Sequence, residues 1–160
     1  MQNLIKDNQH QHDRWTLVEN DAPIPATGPI ILPLALYRVQ KFEWDAAGRD
    51  IGVWLNDEQM AEDVTDSLNR LPLIALRFPK FADGRGFSKA RLLRERYGYQ
   101  GEIRAIGDFL PDQVFYMGRC GIDAYACRNN EEANIALTLL TPFTVHYQSG
   151  TDSTPLFERR

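Results

Sequence analysis

Residues 50–78 read DIGVWLNDEQMAEDVTDSLNRLPLIALRF, and this stretch decides the fold. DIGVWLN carries Ile51, Val53, Trp54 and Leu55, the β-branched and large apolar residues of a buried strand. DEQMAEDVTDSLNRL begins with acidic residues, which suit the positive end of a helix dipole. Met60, Val64 and Leu68 then recur at four-residue spacing, which places them on one helix face. PLIALRF returns to strand. One βα unit followed by a second strand is therefore written in fewer than thirty consecutive positions.

The same alternation continues downstream. FADGRGFS (81–88) is a loop, and KARLLRERYGY a helix, with Ser88 as its expected N-cap and Gly98 as its C′ residue. GEIRAIG is a third strand. DFLPDQVFYMGRCG is a loop and helix, with Pro111 near N1 and Gly121 as its stop. IDAYAC is a fourth strand, and NNEEANIALTLLTPF a last helix capped by Asn129 or Asn130. Upstream, RWTLVE reads as a short strand, NDAPIPATGP as a loop and IIL (30–32) as a short buried strand. Pro33 suits the start of a helix through LALYRVQKFEW, with a strand as the alternative there.

Strands alternating with helices imply βαβ units and a parallel sheet. The expected fold class is therefore α/β: a partial (β/α) barrel with strands in sequence order, or alternatively an open doubly wound sheet. A single domain is expected over 15–147. Residues 1–14, rich in Asn, Gln and His, are expected as a flexible tail, and 148–160 as a weakly patterned C-terminal tail. A partial barrel leaves open edges, which a homodimer or a partner protein would cover.

Composition narrows the function. The chain has 160 residues, 43% apolar and 25% charged, as in a globular domain. Its net charge of −4 supplies no global attraction for nucleic acid or an anionic membrane. No apolar run approaches the roughly 20 residues of a membrane span. The polar start, MQNLIKDNQHQHDRW, does not resemble a secretory signal, so a cytoplasmic location is expected. Cys120 and Cys127 do not form C-x-x-C, and two thiols cannot supply a four-cysteine cluster. His10, His12 and His146 show no metal-ligand spacing. No metal or other cofactor is expected.

In parallel α/β folds, ligands bind beyond the C-terminal ends of the strands. Those ends carry Asp57, the segment from Arg77 to Arg85, Asp108 and Arg128. Arg77 shares a strand face with Leu73 and Ala75, and Arg104 shares one with Glu102. Arg77, Arg85, Ser88 and Arg104 are the candidate anion-binding residues, because guanidinium offers a permanently charged fork and the glycine-rich loop precedes a helix. Asp83 and Asp108 are the candidate acid/base residues. FADGRGFS is neither a P-loop nor a dinucleotide loop. The structural alternative is an ion-pair network joining Arg77 and Arg104 to Glu102, Asp83 and Asp108, with Ser88 as a helix cap. Lys89, Arg91, Arg94 and Arg96 form either a solvated face or a docking face for an acidic partner.

The blocks FADGRGFSKARLLRERYGYQGEIRAIGD and LPDQVFYMGRCGIDAY resemble the bacterial domain-of-unknown-function family 934, the likeness covering the middle half of the chain. The resemblance implies an oxidoreductase description and genes lying beside those for assimilatory sulfite reductase. It supplies no catalytic residue. It implies an accessory role in assimilatory sulfite reduction, with sulfite reductase as the partner. The residue chemistry leaves a second expectation, a small barrel-like enzyme acting on a phosphate- or sulfite-like anionic metabolite.

Overall fold

The computed structural model describes residues 3–80 and 84–140. Its strands are β1 (Asn3–Lys6), β2 (Gln9–Gln11), β3 (Thr16–Leu17), β4 (Ile30–Pro33), β5 (Ile51–Leu55), β6 (Leu73–Phe78), β7 (Glu102–Gly107) and β8 (Ala124–Cys127). Together they make one eight-stranded sheet in the order β2-β1-β8-β7-β6-β5-β4-β3. From β3 to β8 every neighbouring pair is parallel and in sequence order. The order has no switch point, so the sheet is the partial barrel and not the doubly wound alternative.

Residues 3–11, expected as part of a flexible tail, are instead an antiparallel hairpin that extends the sheet. Asn3 to Lys6 pair with Cys127 to Ala124, and Leu4 and Ile5 are buried. Composition misleads here because so short a strand needs only one large apolar residue on each face: Ile5 joins the main core, and Leu4 is buried on the opposite side. The turn is made by Asp7 and Asn8, both at positive φ (54° and 59°), the conformation of a tight hairpin turn.

The connection from β2 to β3 bends the whole sheet. These strands are its two edges. A flat eight-stranded sheet would separate them by about 34 Å at the usual strand spacing. From Gln11 to Thr16 the chain has five residue steps, which reach at most about 18 Å. The edges therefore curl toward one another, and residues 12–15 span the open side of the resulting half-barrel.

The outer face of the sheet packs on helices. Ile74, Leu76 and Phe78 of β6, with Ile103 and Ala105 of β7, meet Ala90, Leu93, Val114, Met117, Ala133 and Ala136 in the main core. The alternate residues of the same strands form a smaller cluster on the inner face: Ile31, Trp54, Leu73, Ala75 and Ile106, joined by Trp15 and Leu17. The period of two along each strand divides these two cores.

The helices are α1 (Leu34–Val39), α2 (Lys41–Ala46), α3 (Arg85–Arg91), α4 (Val114–Arg119) and α5 (Asn130–Leu139). Pro33 is the N-cap of α1, as its fixed φ suits, and the helix expected through 44 breaks at Gln40. The segment after β5 is a 3₁₀ helix, Ala61–Ser67. Its buried residues are Ala61, Val64 and Ser67, three apart, while Met60 is exposed. The four-residue stripe read from Met60, Val64 and Leu68 gives way to three-residue spacing because a 3₁₀ helix has three residues per turn. Ser88 lies inside α3, whose N-cap is Gly84, so it caps nothing. Beyond α3 the chain widens into a π turn, Leu92–Arg96, and stops at Gly98 with φ 63°, as expected of a C′ glycine. The Asn129 side chain accepts from Glu132 N and caps α5.

Candidate functional site

The C-terminal ends of the strands carry charges as expected, and Asp57, Arg77, Arg85, Asp108 and Arg128 each face a counter-charge. Arg77, at the end of β6, donates from Nη1 and Nη2 to Glu19 Oε2 and Oε1 at 2.8 and 2.7 Å. Its guanidinium lies 4.0 Å over the ring of Trp54, whose Nε1 donates to Val18 O at 2.9 Å. The hydrogen bond from Arg77 holds the Glu19 carboxyl below its ordinary value. Arg85 reaches Asp57 Oδ2 at 3.0 Å. Asp108 pairs with Arg128 at 3.2 Å, and Arg128 also binds Glu132. Ser88 is exposed on the outer surface of α3, where it lines a shallow depression with Arg91 and Leu92. Asp83 lies outside the described residues.

Arg104 sits elsewhere. It faces inward from the middle of β7 and is 1% exposed. Its Nε donates to Glu102 Oε1 at 2.7 Å and its Nη1 to Asp13 Oδ2 at 2.9 Å, while Lys6 Nζ reaches Glu102 Oε2 at 2.9 Å. This is a buried ion-pair network of the kind expected as the structural alternative, and Glu102 is in it. Asp13 and Lys6 complete it, and both come from the segment read as a tail. The structure thus does not bring Arg77, Arg85, Arg104 and Asp108 together. Their charge partners differ: Glu19 for Arg77, Asp57 for Arg85, Asp13 and Glu102 for Arg104, and Arg128 for Asp108.

The basic helix is likewise divided. Lys89 is buried, with Nζ donating to Asn56 O at 2.7 Å and Asp57 O at 3.2 Å. Arg94 donates to Gly121 O, Tyr99 O and Gly101 O. These two cations fasten loops to the helix. Arg91 and Arg96 remain on its outer surface.

Two cavities flank residues 12–15 on the inner face. One cavity of about 610 Å³ runs between the sheet edges and is lined by Leu4, His10, Trp15, Thr16 and Leu17, among others. That volume falls within the range of small-molecule sites. A second, of about 280 Å³, contains Lys6, Glu102 and Arg104. Gln11, His12, Asp13 and Trp15 line both, so the crossing segment is the partition between them. His10 is fixed by Asn134 Oδ1 of α5 at 2.8 Å. Among the described residues no group of three His, Cys, Asp or Glu side chains is placed to hold a metal ion.

Residues 52–157 match the family described as bacterial protein of unknown function (DUF934). The chain belongs to the DUF934 family. No match was found among curated proteins. In this DUF934 protein the matched region begins inside β5, so β1 to β4 and the partition segment fall outside it. The hairpin and the partition segment were also the residues the sequence pattern least announced: Asp13, Lys6 and His12 sit in a run whose polarity reads as solvent-exposed. A signal was nonetheless present, since a buried strand arginine such as Arg104 needs a carboxylate beyond its neighbour Glu102. Both cysteines of the DUF934 chain are buried free thiols, and burial pushes the Cys127 thiol up to about 11. Among the described residues no helix is long and apolar enough to cross a membrane.

Proposed function

We propose that the chain is a cytoplasmic accessory protein of assimilatory sulfite reduction, acting by binding a partner, the sulfite reductase, and not by a reaction of its own. The family resemblance supplies the sulfur-assimilation setting. The observation on this chain that carries the accessory form of the reading is the pairing at the strand ends. Arg77 pairs with Glu19, Arg85 with Asp57, and Arg128 with both Asp108 and Glu132, which favours structural roles for these charges over a free acid or base at Asp108. A partner surface is supported by Val39 and Phe42 on α1 and α2, which are 80% and 87% exposed. Large apolar side chains so exposed, three positions apart in sequence, suit protein association.

The test is genetic and biochemical. Cells lacking the protein are grown with sulfate or with sulfide as sole sulfur source, and sulfite reductase activity is assayed in extracts. Impaired growth on sulfate alone, lowered reductase activity and copurification of the two proteins are expected. Phe42→Glu should weaken copurification without unfolding the chain. Normal growth and unchanged reductase activity would overturn the reading.

A further inference from the structure

The inner face of the half-barrel has a chemistry that the accessory reading does not use. Residues 12–15 cross it with a cavity on either side, about 610 Å³ and about 280 Å³. Packing is therefore thin around this segment, and among the described residues it is held by Trp15 against the inner apolar cluster, by Asp13 on Arg104 and, at the surface, by Arg14 on Asp50. Asp13 also turns the segment locally, its Oδ1 accepting from Trp15 N at 3.0 Å.

The charges beneath the segment balance only while Asp13 is in place. Lys6 and Arg104 contribute two positive charges, Glu102 and Asp13 two negative ones. The neighbouring charges are already committed: Arg14 pairs with Asp50 at 3.1 Å, and Asp123 lies 3.6 Å from Arg94. Lifting the segment takes Asp13 away and leaves Lys6, Arg104 and Glu102 with one uncompensated positive charge. Arg104 is almost wholly buried, so that charge is costly unless another anion replaces the carboxylate. The arginine fork suits a carboxylate or a tetrahedral oxyanion equally. Lifting also merges the two cavities into one chamber with an apolar wall from Leu4 and Leu17.

We propose that this chamber binds a small anion, whose carboxylate or oxyanion head takes the place of Asp13 on Arg104 and Lys6 while residues 12–15 act as its lid. Asp13 is then an internal competitor for the ligand seat. This inference stands apart from the accessory reading, because it concerns the purified chain alone.

The experiment is a titration of the ¹⁵N-labelled protein with sodium sulfate and, separately, sodium benzoate, against sodium chloride at equal ionic strength. The Trp15 indole and the arginine Nε–H resonances are followed. The wild-type protein should shift Trp15 with sulfate, benzoate or both, and not with chloride. Asp13→Ala should lower the apparent dissociation constant by about tenfold or more, the gain expected when a closed state that dominates the population is removed. Asp13→Asn removes the charge while keeping an acceptor for Trp15 N, and serves the same purpose if the alanine variant does not fold. Adding Lys6→Met to either variant should abolish the gain. The proposal is overturned if Trp15 stays unmoved in wild type and variant alike, if neither Asp13 variant binds more tightly, or if the shifts fall only on Arg91 and Arg96. A sulfate response alone would assign the oxyanion class and a benzoate response alone the carboxylate class, either outcome supporting the chamber.

Discussion

Arg104 Nη1 donates to Asp13 Oδ2 across 2.9 Å, joining the middle of β7 to the segment that spans the open side of the sheet. The two residues are 91 positions apart, and both side chains are nearly inaccessible. Arg104→Met should therefore destabilise strongly, by about 3–5 kcal/mol, because it strands the Asp13 carboxylate in a low-dielectric site. Asp13→Asn should cost less, about 1–3 kcal/mol, since Arg104 keeps Glu102. Urea unfolding of both variants checks the order. A loss below about 1 kcal/mol for Arg104→Met would mean that the pair is not buried in solution.

Gly107 ends β7 with φ 92°, and a Cβ there would lie 2.6 Å from Phe78 O. Both the backbone conformation and the space require glycine. Gly107→Ala should lower stability by more than about 2 kcal/mol, read as a fall in melting temperature. The same substitution at Gly48, which has positive φ but nothing within 4 Å, should cost less.

The two expected helix caps separate cleanly. Asn129→Ala removes the acceptor for Glu132 N and should cost about 1 kcal/mol. Ser88→Ala, at an exposed position inside α3, should stay within about 0.5 kcal/mol of wild type. A cost at Ser88 equal to that at Asn129 would contradict the observed start of α3 at Arg85.

Much of the fold was legible because the parallel strands are locally overdetermined. Ile74, Leu76 and Phe78 alternate with Leu73, Ala75 and Arg77, and every residue of β6 except Arg77 is buried, so the strand announces itself. The short 3₁₀ helix at 61–67 was harder, since Val64 fits either a three- or a four-residue stripe and only the tertiary seating of Ala61 and Ser67 selects between them. The hairpin was hidden because its partner, β8, lies more than a hundred residues away and no local pattern encodes that pairing. The site suffered the same limitation. Strand order places Arg77 and Asp108 at one end of the sheet, but which carboxylate each cation takes depends on long-range geometry, as with Arg77 and Glu19, 58 positions apart.

The pH response of the Arg77–Glu19 pair has a definite sign. Arg77 holds the Glu19 carboxyl below its ordinary value of 4.5. The pair's contribution is therefore fully present above that value and is lost as pH falls through the lowered folded value. Glu19 is half exposed, so the contribution should be about 1 kcal/mol or less. Glu19→Gln should flatten the acid limb of the melting temperature measured between about pH 3 and about pH 6, leaving the neutral range lower by a small constant. An unchanged acid limb would remove the pair from the stability account.

The curl of the sheet, the lid and the inner chamber all follow from the N-terminal residues being part of the sheet. Hydrogen–deuterium exchange on the wild-type protein tests this directly. The amides of β1 that face β8, in the segment Asn3–Lys6, should be protected by several orders of magnitude, approaching the amides of β7. Ile5→Ala should lower that protection together with global stability, by about 2–5 kcal/mol. Exchange of residues 3–11 at the rate of an unstructured peptide, with β7 fully protected, would contradict the account.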